Sequence, residues 1–578
     1  MRLPGGPRSL APPRVTEQDV PALTAGILDR RFYRRECDAG RTLAAFSFKL
    51  REETDLDRPG GELVTVVKET MQPAHASPWS RSSPGESDTK ARRTVFEVVV
   101  IGGGPAGVTA ALRARELGAT VALIEREHMG GVSTNDGCVP TRVLAKAARL
   151  VRDAEQFADY GLEGEKPKVD FARLLNRTEH IVGTIHQKKR LRDHLEAADV
   201  RVFDRAGDAR FLDSNNLALS DGSSVQGEKF ILSVGGHARR IPLPGVEHAL
   251  THSDVWSMER LPRSVAIVGG AATGCQLASV FAAFGSRVHL LEVSPRILAL
   301  EDEAVSAGVT EAFGRRGIEI FSGIGGVDKI ERINGNLRLS YARDDETHTL
   351  EAEAVMLAVG WPGNVEDLNL EAAGVETRRP GYVQVDDALR TTAPHIFAAG
   401  DITGRMMLVQ SATNEGNLAA EQTVLGGEHG YRHNIVPHGG FTDPEYASVG
   451  LTESRARDEG RDYAVAEVPY SELDRGVVDG HTEGLCKLLV DSPSRRIIGA
   501  HIVGEQAVEV VQIVATAMRA GMPIEELADV EFAYPTFTAI VGIAARRILR
   551  ELGLVAVSPR WGIPERTLGT EWEHSDRD

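Results

Sequence analysis

The chain has 578 residues, 42% hydrophobic and 26% charged, which is the balance of a folded protein of several domains. Its formal net charge of −17 argues against nucleic acid or an anionic membrane as the main partner. Four cysteines spread over the whole length (Cys37, Cys138, Cys275 and Cys486) make neither a secreted disulfide framework nor a zinc site, and no apolar run reaches membrane-spanning length.

Residues 1–94 stand apart. They carry 16 Lys/Arg against 13 Asp/Glu, so the acidity belongs to the remainder of the chain. The opening MRLPGGPRSLAPPR has basic residues but no apolar core behind them, which is not the pattern of a secretory signal, and a cytoplasmic protein is expected. A short helix is predicted over 22–35, followed by an alternating stretch at 45–50 and an apolar run at 63–67. Residues 73–93 have the Pro/Ser/charge composition of a flexible linker. Two readings of this front stay open: an accessory or partner-binding module, and a poorly folded leader.

From Val95 the pattern becomes regular. FEVVVIG is a continuous apolar strand, as a sheet buried on both faces requires; PAGVTAALRAREL is helical, and TVALIE is a second strand. SVAIVGG, QLASVFAAFG and VHLLE repeat the scheme. Units of this kind predict an α/β fold with two Rossmann-like, doubly wound domains.

Each unit carries a nucleotide fingerprint. In GGGPAG, Gly102, Gly104 and Gly107 occupy the G-x-G-x-x-G positions, with Pro105 and Ala106 opening the helix. The first glycine makes the tight turn, the second lets the backbone approach a pyrophosphate, and the third packs helix on strand. The pyrophosphate rests on free N–H groups at the helix start. Glu125 follows Gly102 by 23 residues, placed to accept from a ribose. In GGAATG, Gly269, Gly270 and Gly274 recur with Ala271 in the middle position, and Glu292 follows Gly269 by the same 23 residues. An acidic Glu292 favours NADH, because a carboxylate repels a 2′-phosphate, while Arg296 nearby pulls the other way.

These features resemble the pyridine-nucleotide–disulfide oxidoreductases, from about Val95 to Leu552. IFAAGD, with Gly400 and Asp401, is similar to the family's second FAD motif. Gly207 in RAGDA matches a glycine beside the adenine, and Gly360 lies in AVGWPGN, which resembles the stretch closing the NAD domain, with Trp361 where an arginine is usual. FTDPEYASVGLTE and IIGAHIVGEQAVEVV resemble the α+β dimerisation domain. The resemblance implies FAD on the first fingerprint, NAD(P)H on the second, and a homodimer. It divides the chain into 1–94, an FAD domain (95–250), an NAD(P) domain (251–365), an FAD return segment (366–433), an interface domain (434–553) and a tail (554–578).

The family's redox segment is altered. In GGVSTNDGCVPTR, Gly131 is kept, but Ser133 stands at the first cysteine position and Cys138 at the second; a hydroxyl cannot exchange with a disulfide. Arg142, expected to contact FAD, replaces a flavin-side lysine and Gln276 its glutamate partner, so an Arg–Gln pair is expected. YPTFTA puts Tyr534 and Ala539 where the family has a proton-transfer histidine and a glutamate, and a phenol, with a reference pKa of about 10, is a poor base for a thiol. The tail has no cysteine pair, against specific mercury chemistry.

The resulting expectation is an FAD-dependent oxidoreductase that passes electrons from NADH, or NADPH, to a small diffusible acceptor: a quinone, a dye or a second pyridine nucleotide. Cys138 and Tyr534 would line the reactive face. Cys138, at a helix start with Arg142 one turn on, is expected to have a lowered pKa, either as a thiolate acting against the flavin or as a thiol that merely packs there. A single-cysteine NADH peroxidase or oxidase, an enzyme like dihydrolipoamide dehydrogenase or mercuric reductase by resemblance alone, and a non-catalytic flavin-binding partner or sensor are the alternatives. Cys275 and Cys486 are expected to be buried, His128 to be a surface-loop residue, and no metal site is expected among 17 histidines without ligand spacing.

Overall fold

The computed structural model describes residues 95–554, apart from 379–380, 428–429 and 432; the elements expected before Val95 and the tail beyond Leu554 lie outside it. The first sheet has seven strands: β1 (Val95–Ile101), β2 (Val121–Ile124), β3 (Arg201–Phe203), β4 (Ala209–Phe211), β5 (Asn216–Leu219), β6 (Ser224–Leu232) and a late strand, Ile396–Ala398. Their order is β3-β2-β1-β6-β5-β4, with the late strand pairing in parallel with β6. The central strands are parallel, and Val98, Val99, Val100 and Ile101 are buried on both faces, as the unbroken apolar run of β1 predicts.

The helix Pro105–Glu116 crosses from β1 to β2. It begins with proline at a position that needs no N–H, and it buries small residues: Ala106, Gly107, Ala110, Ala111 and Ala114. Small size lets the helix Val409–Leu425 approach closely. A Cβ on Gly416 would lie 2.3 Å from the Ala106 carbonyl oxygen.

A second, four-stranded parallel sheet comprises β7 (Ser264–Val268), β8 (Arg287–Glu292), β9 (Glu319–Ser322) and Ala354–Leu357, which pairs with β7. An antiparallel three-stranded meander, Gly326–Ala352, is inserted before its last strand. The C-terminal part is a five-stranded antiparallel sheet, ordered His438–Gly440, Glu445–Gly450, Arg496–Gly504, Leu485–Asp491, Tyr463–Pro469. The helices Ala507–Ala520 and Ala539–Glu551 share one apolar core with it. Two nucleotide-type domains and an α+β domain are thus the observed architecture.

The second and third parts are joined by buried charge. Asp302, 2% exposed, caps the helix Glu303–Arg315 through the Ala304 N–H and accepts from Lys487 Nζ at 3.1 Å. Each charge meets an opposite partner, which offsets its desolvation. Among the described residues, no helix is long and apolar enough to cross a membrane.

Candidate active site

The two fingerprints have nearly the same geometry. Gly102 has φ +105° and Gly269 φ +107°, so each turn needs a residue free to enter the left-handed half of the map. The Gly102 N–H donates to Ile124 O at 2.8 Å, and the Gly269 N–H to Leu291 O at 2.7 Å. A Cβ on Gly107 would sit 1.8 Å from Gly102 O, and one on Gly274 would sit 1.8 Å from Gly269 O. The middle position differs without strain: Gly104 has φ −74°, ψ −177°, and Ala271 φ −83°, ψ −172°, extended backbone that any residue adopts. Alanine therefore costs the second turn nothing in conformation.

Both acidic residues close the turn from behind. Glu125 Oε2 accepts the Gly103 N–H at 2.7 Å, while its Oε1 accepts from Glu127 and His128. Glu292 Oε2 accepts the Gly270 N–H at 2.6 Å, with Ser294 N–H on Oε1. Neither helix start carries a side-chain cap, which leaves first-turn N–H groups for an anion. Gly207 (φ +68°) donates to Arg126 O beside Glu125, and Gly360 (φ +130°) lies against Arg239. The Arg296 guanidinium is taken up by the carbonyls of Leu298, Ala299 and Glu301.

The redox-type segment packs on the first fingerprint. The Gly130 N–H donates to Gly103 O, and a Cβ on Gly131 would fall 2.9 Å from the Gly104 Cα. Ser133 donates to Gly130 O at 3.3 Å. Cys138 begins the helix Cys138–Asp153, the helix start that was expected for it.

Two expectations are corrected here. The Cys138 thiol is pushed up, not down: crowding by protein atoms desolvates it, and the Asp401 carboxylate adds repulsion, although the residue keeps surface exposure. Arg142 does not offset this, because it is turned away. Its guanidinium pairs with the fully buried Glu445 and lies 4.5 Å over the Phe441 ring. The expected Arg142–Gln276 pair is accordingly absent; Gln276 accepts the Phe441 N–H at 3.1 Å and donates to Ala272 O. Glu445 also holds Arg149, while Arg152 bridges Asp443 (2.6 Å) and Glu505 (2.9 Å).

Asp401 is half-buried below the Gly400 turn (φ +82°) and accepts from Trp361 Nε1 at 3.0 Å. Burial raises its pKa, the Trp361 hydrogen bond works against that, and Glu415 raises it again. Glu415, 0% exposed, accepts the Gly400 N–H at 2.7 Å and pairs with His433 Nε2 at 2.6 Å. Nothing in the sequence singled out Glu415 or Glu445; their importance lies in burial, which no local pattern reveals. Tyr534 lies apart from this cluster within the chain, its hydroxyl donating to Asp474. Cys275 and Cys486 are fully buried, and burial pushes the Cys486 thiol up to about 12. His128 is exposed, as expected.

Residues 96–416 match the pyridine nucleotide-disulphide oxidoreductase family, and residues 436–545 its dimerisation domain. The chain belongs to this family. It is 32% identical to the dihydrolipoyl dehydrogenase of Geobacillus stearothermophilus over 457 residues, covering 78% of this chain and 95% of that one. It is 29% identical to the mercuric reductase of Staphylococcus aureus over 487 residues, covering 83% and 88%. Among solved structures, the HOCl-induced flavoprotein disulfide reductase RclA of Escherichia coli is similar, with TM-score 0.69 and 27% identity over 78% of this chain and 99% of that one. Family membership makes this protein an FAD-dependent pyridine-nucleotide oxidoreductase, and the dimerisation domain supports a homodimer. The residues fit such cofactors: two glycine cradles that a Cβ would fill, each backed by a carboxylate.

Proposed function

We propose that this protein carries electrons from NADH to a small diffusible acceptor, such as a quinone, a dye or a second pyridine nucleotide, without a disulfide relay. The observation that carries this reading is Ser133, a hydroxyl engaged with Gly130 O at the place where the relay needs a thiol. Tyr534, engaged with Asp474, supports it, since a phenol is a poor proton acceptor for a thiol near neutral pH. The raised pKa of Cys138 also runs against a standing thiolate nucleophile there.

Bound FAD would supply two-electron exchange with the nicotinamide and the acceptor. The protein's own part is binding and orientation. Gly102, Gly104, Pro105, Ala106 and Gly107 with Glu125 would hold one dinucleotide; Gly207, Gly131, Gly400 and Asp401 would complete that site. Gly269, Gly270 and Gly274 with Glu292 and Gly360 would hold the other. The engagement of Arg296 by three carbonyls leaves the Glu292 carboxylate to set preference, which supports NADH.

Cys138→Ala tests the reading. NADH-dependent quinone turnover is expected to stay within about threefold of the unmodified protein, because no covalent step runs through sulfur; a thiol-dependent reaction would instead lose 100-fold or more, on the order of the several kcal/mol a lost nucleophile costs. Loss on that scale would move the assignment to a single-cysteine peroxidase or oxidase.

A further inference from the structure

The segment from Ser133 to Cys138 has lost the option of a covalent tie between its ends, yet every residue between Ser133 and Gly137 is tied down by its side chain. Thr134 accepts from Lys189 Nζ at 3.1 Å, and Asn135 meets His186 at 2.7 Å, both on the helix Phe171–Lys189. Asp136 faces the other way, toward the 3-10 helix His252–Ser257. Its Oδ1 accepts from Trp256 Nε1 at 2.7 Å, and its Oδ2 from Ser253 Oγ at 2.6 Å, with His252 Nε2 3.2 Å away. All three contacts come from that one short helix, 117 to 120 residues away in sequence for Ser253 and Trp256. Burial alone would raise this carboxyl, but the contacts from His252, Ser253 and Trp256 outweigh it and hold its pKa below the usual range.

The contact does not end at Asp136. The His252 ring, 8% exposed, lies 5.2 Å from the Trp361 ring, and Trp361 is the donor to Asp401. The Asp401 carboxylate is in turn the charge felt by Cys138. One end of this chain of contacts is therefore two residues before Cys138 in sequence, and the other is the carboxylate whose charge the thiol feels.

We propose that Asp136 is a positioning residue: its three-donor clamp to His252–Ser257 holds the Ser133–Cys138 segment in place of a covalent tie. The proposal rests on the reading of Cys138 as part of the reactive face, but not on which acceptor takes the electrons. Truncating Asp136 leaves two or three donors without their acceptor and frees the turn that delivers the chain into the Cys138 helix. Asparagine keeps an oxygen for Trp256 and an amide group for the imidazole or hydroxyl, so it preserves the geometry while removing the charge.

The test uses full-length flavin-loaded protein. Asp136→Ala is expected to speed amide exchange over residues 130–137 by about tenfold, and Cys138 alkylation, read by peptide mass, by about fivefold, as local opening becomes easier. Asp136→Asn is expected to return both to within about twofold, and Trp256→Phe to fall between, since it removes one donor and keeps the ring. The proposal is overturned if folded Asp136→Ala leaves exchange and alkylation within about twofold, or if Asp136→Asn behaves like Asp136→Ala. Neither readout requires turnover, so failure of the acceptor assignment would leave this result standing, and the reverse.

Discussion

Gly107→Ala is expected to purify with less than about one-tenth of the normal flavin, whereas Gly274→Ala keeps its flavin and loses bleaching by NADH. Both glycines are helical with ordinary dihedrals, so the effect is one of space and not of backbone strain. A methyl at 107 would stand 1.8 Å from Gly102 O and 2.5 Å from Ser233 Oγ. A methyl at 274 would stand 1.8 Å from Gly269 O. Backbone oxygens cannot rotate aside, so the helix must slide away from its strand. Such overpacking costs about 1–3 kcal/mol, and it also displaces the N–H groups aimed at the pyrophosphate. A tenfold to hundredfold loss of affinity at the affected site follows, on the order of 1.4 kcal/mol per tenfold. Flavin absorbance per chain and stopped-flow bleaching separate the two outcomes. Flavin loss from the Gly274 variant alone would reverse the assignment of the two sites.

Glu445→Ala is expected to be among the most destabilising single changes, lowering stability by about 3 kcal/mol. The Glu445 carboxylate is 0% exposed and faces both Arg142 and Arg149. Arg142, 39% exposed, can turn toward water, but Arg149, 15% exposed, cannot do so without rearrangement. An uncompensated buried charge costs about 3–5 kcal/mol, and the partial exposure of Arg142 places this case at the lower end. Glu445→Gln keeps an acceptor and removes only the charge, so about half that loss is expected. Thermal unfolding of the flavin-loaded variants measures both. Unfolding midpoints for Glu445→Ala that match the unmodified protein would show that the pair contributes nothing net.

The parts of this fold that were legible in the sequence are those whose causes are local. Gly102 and Gly107 announce their turn because no other residue fits the geometry, and the shared 23-residue offset reflects a helix and strand of fixed length leading to Glu125 and Glu292. The illegible parts depend on burial and distant partners. Arg142 was matched with Gln276, yet its partner Glu445 is 303 residues away in sequence. Cys138 at a helix start beside an arginine reads locally as an activated thiol; desolvation and Asp401, neither visible in the segment, reverse the sign. Nothing in the local sequence singles out Asp136, because the helix that clamps it begins at His252. Ser133 and Tyr534 were readable as departures only against a known pattern.

The most direct measurement is an anaerobic titration with NADH, followed by addition of lipoamide and then a quinone. A flavin with no disulfide behind it holds two electrons, so the account predicts full bleaching at about one NADH per chain, no recovery with lipoamide, and prompt recovery with the quinone. Uptake of about two NADH per chain, with recovery by lipoamide and appearance of dithiol product, would contradict it and require a second sulfur that has taken up the role absent at position 133.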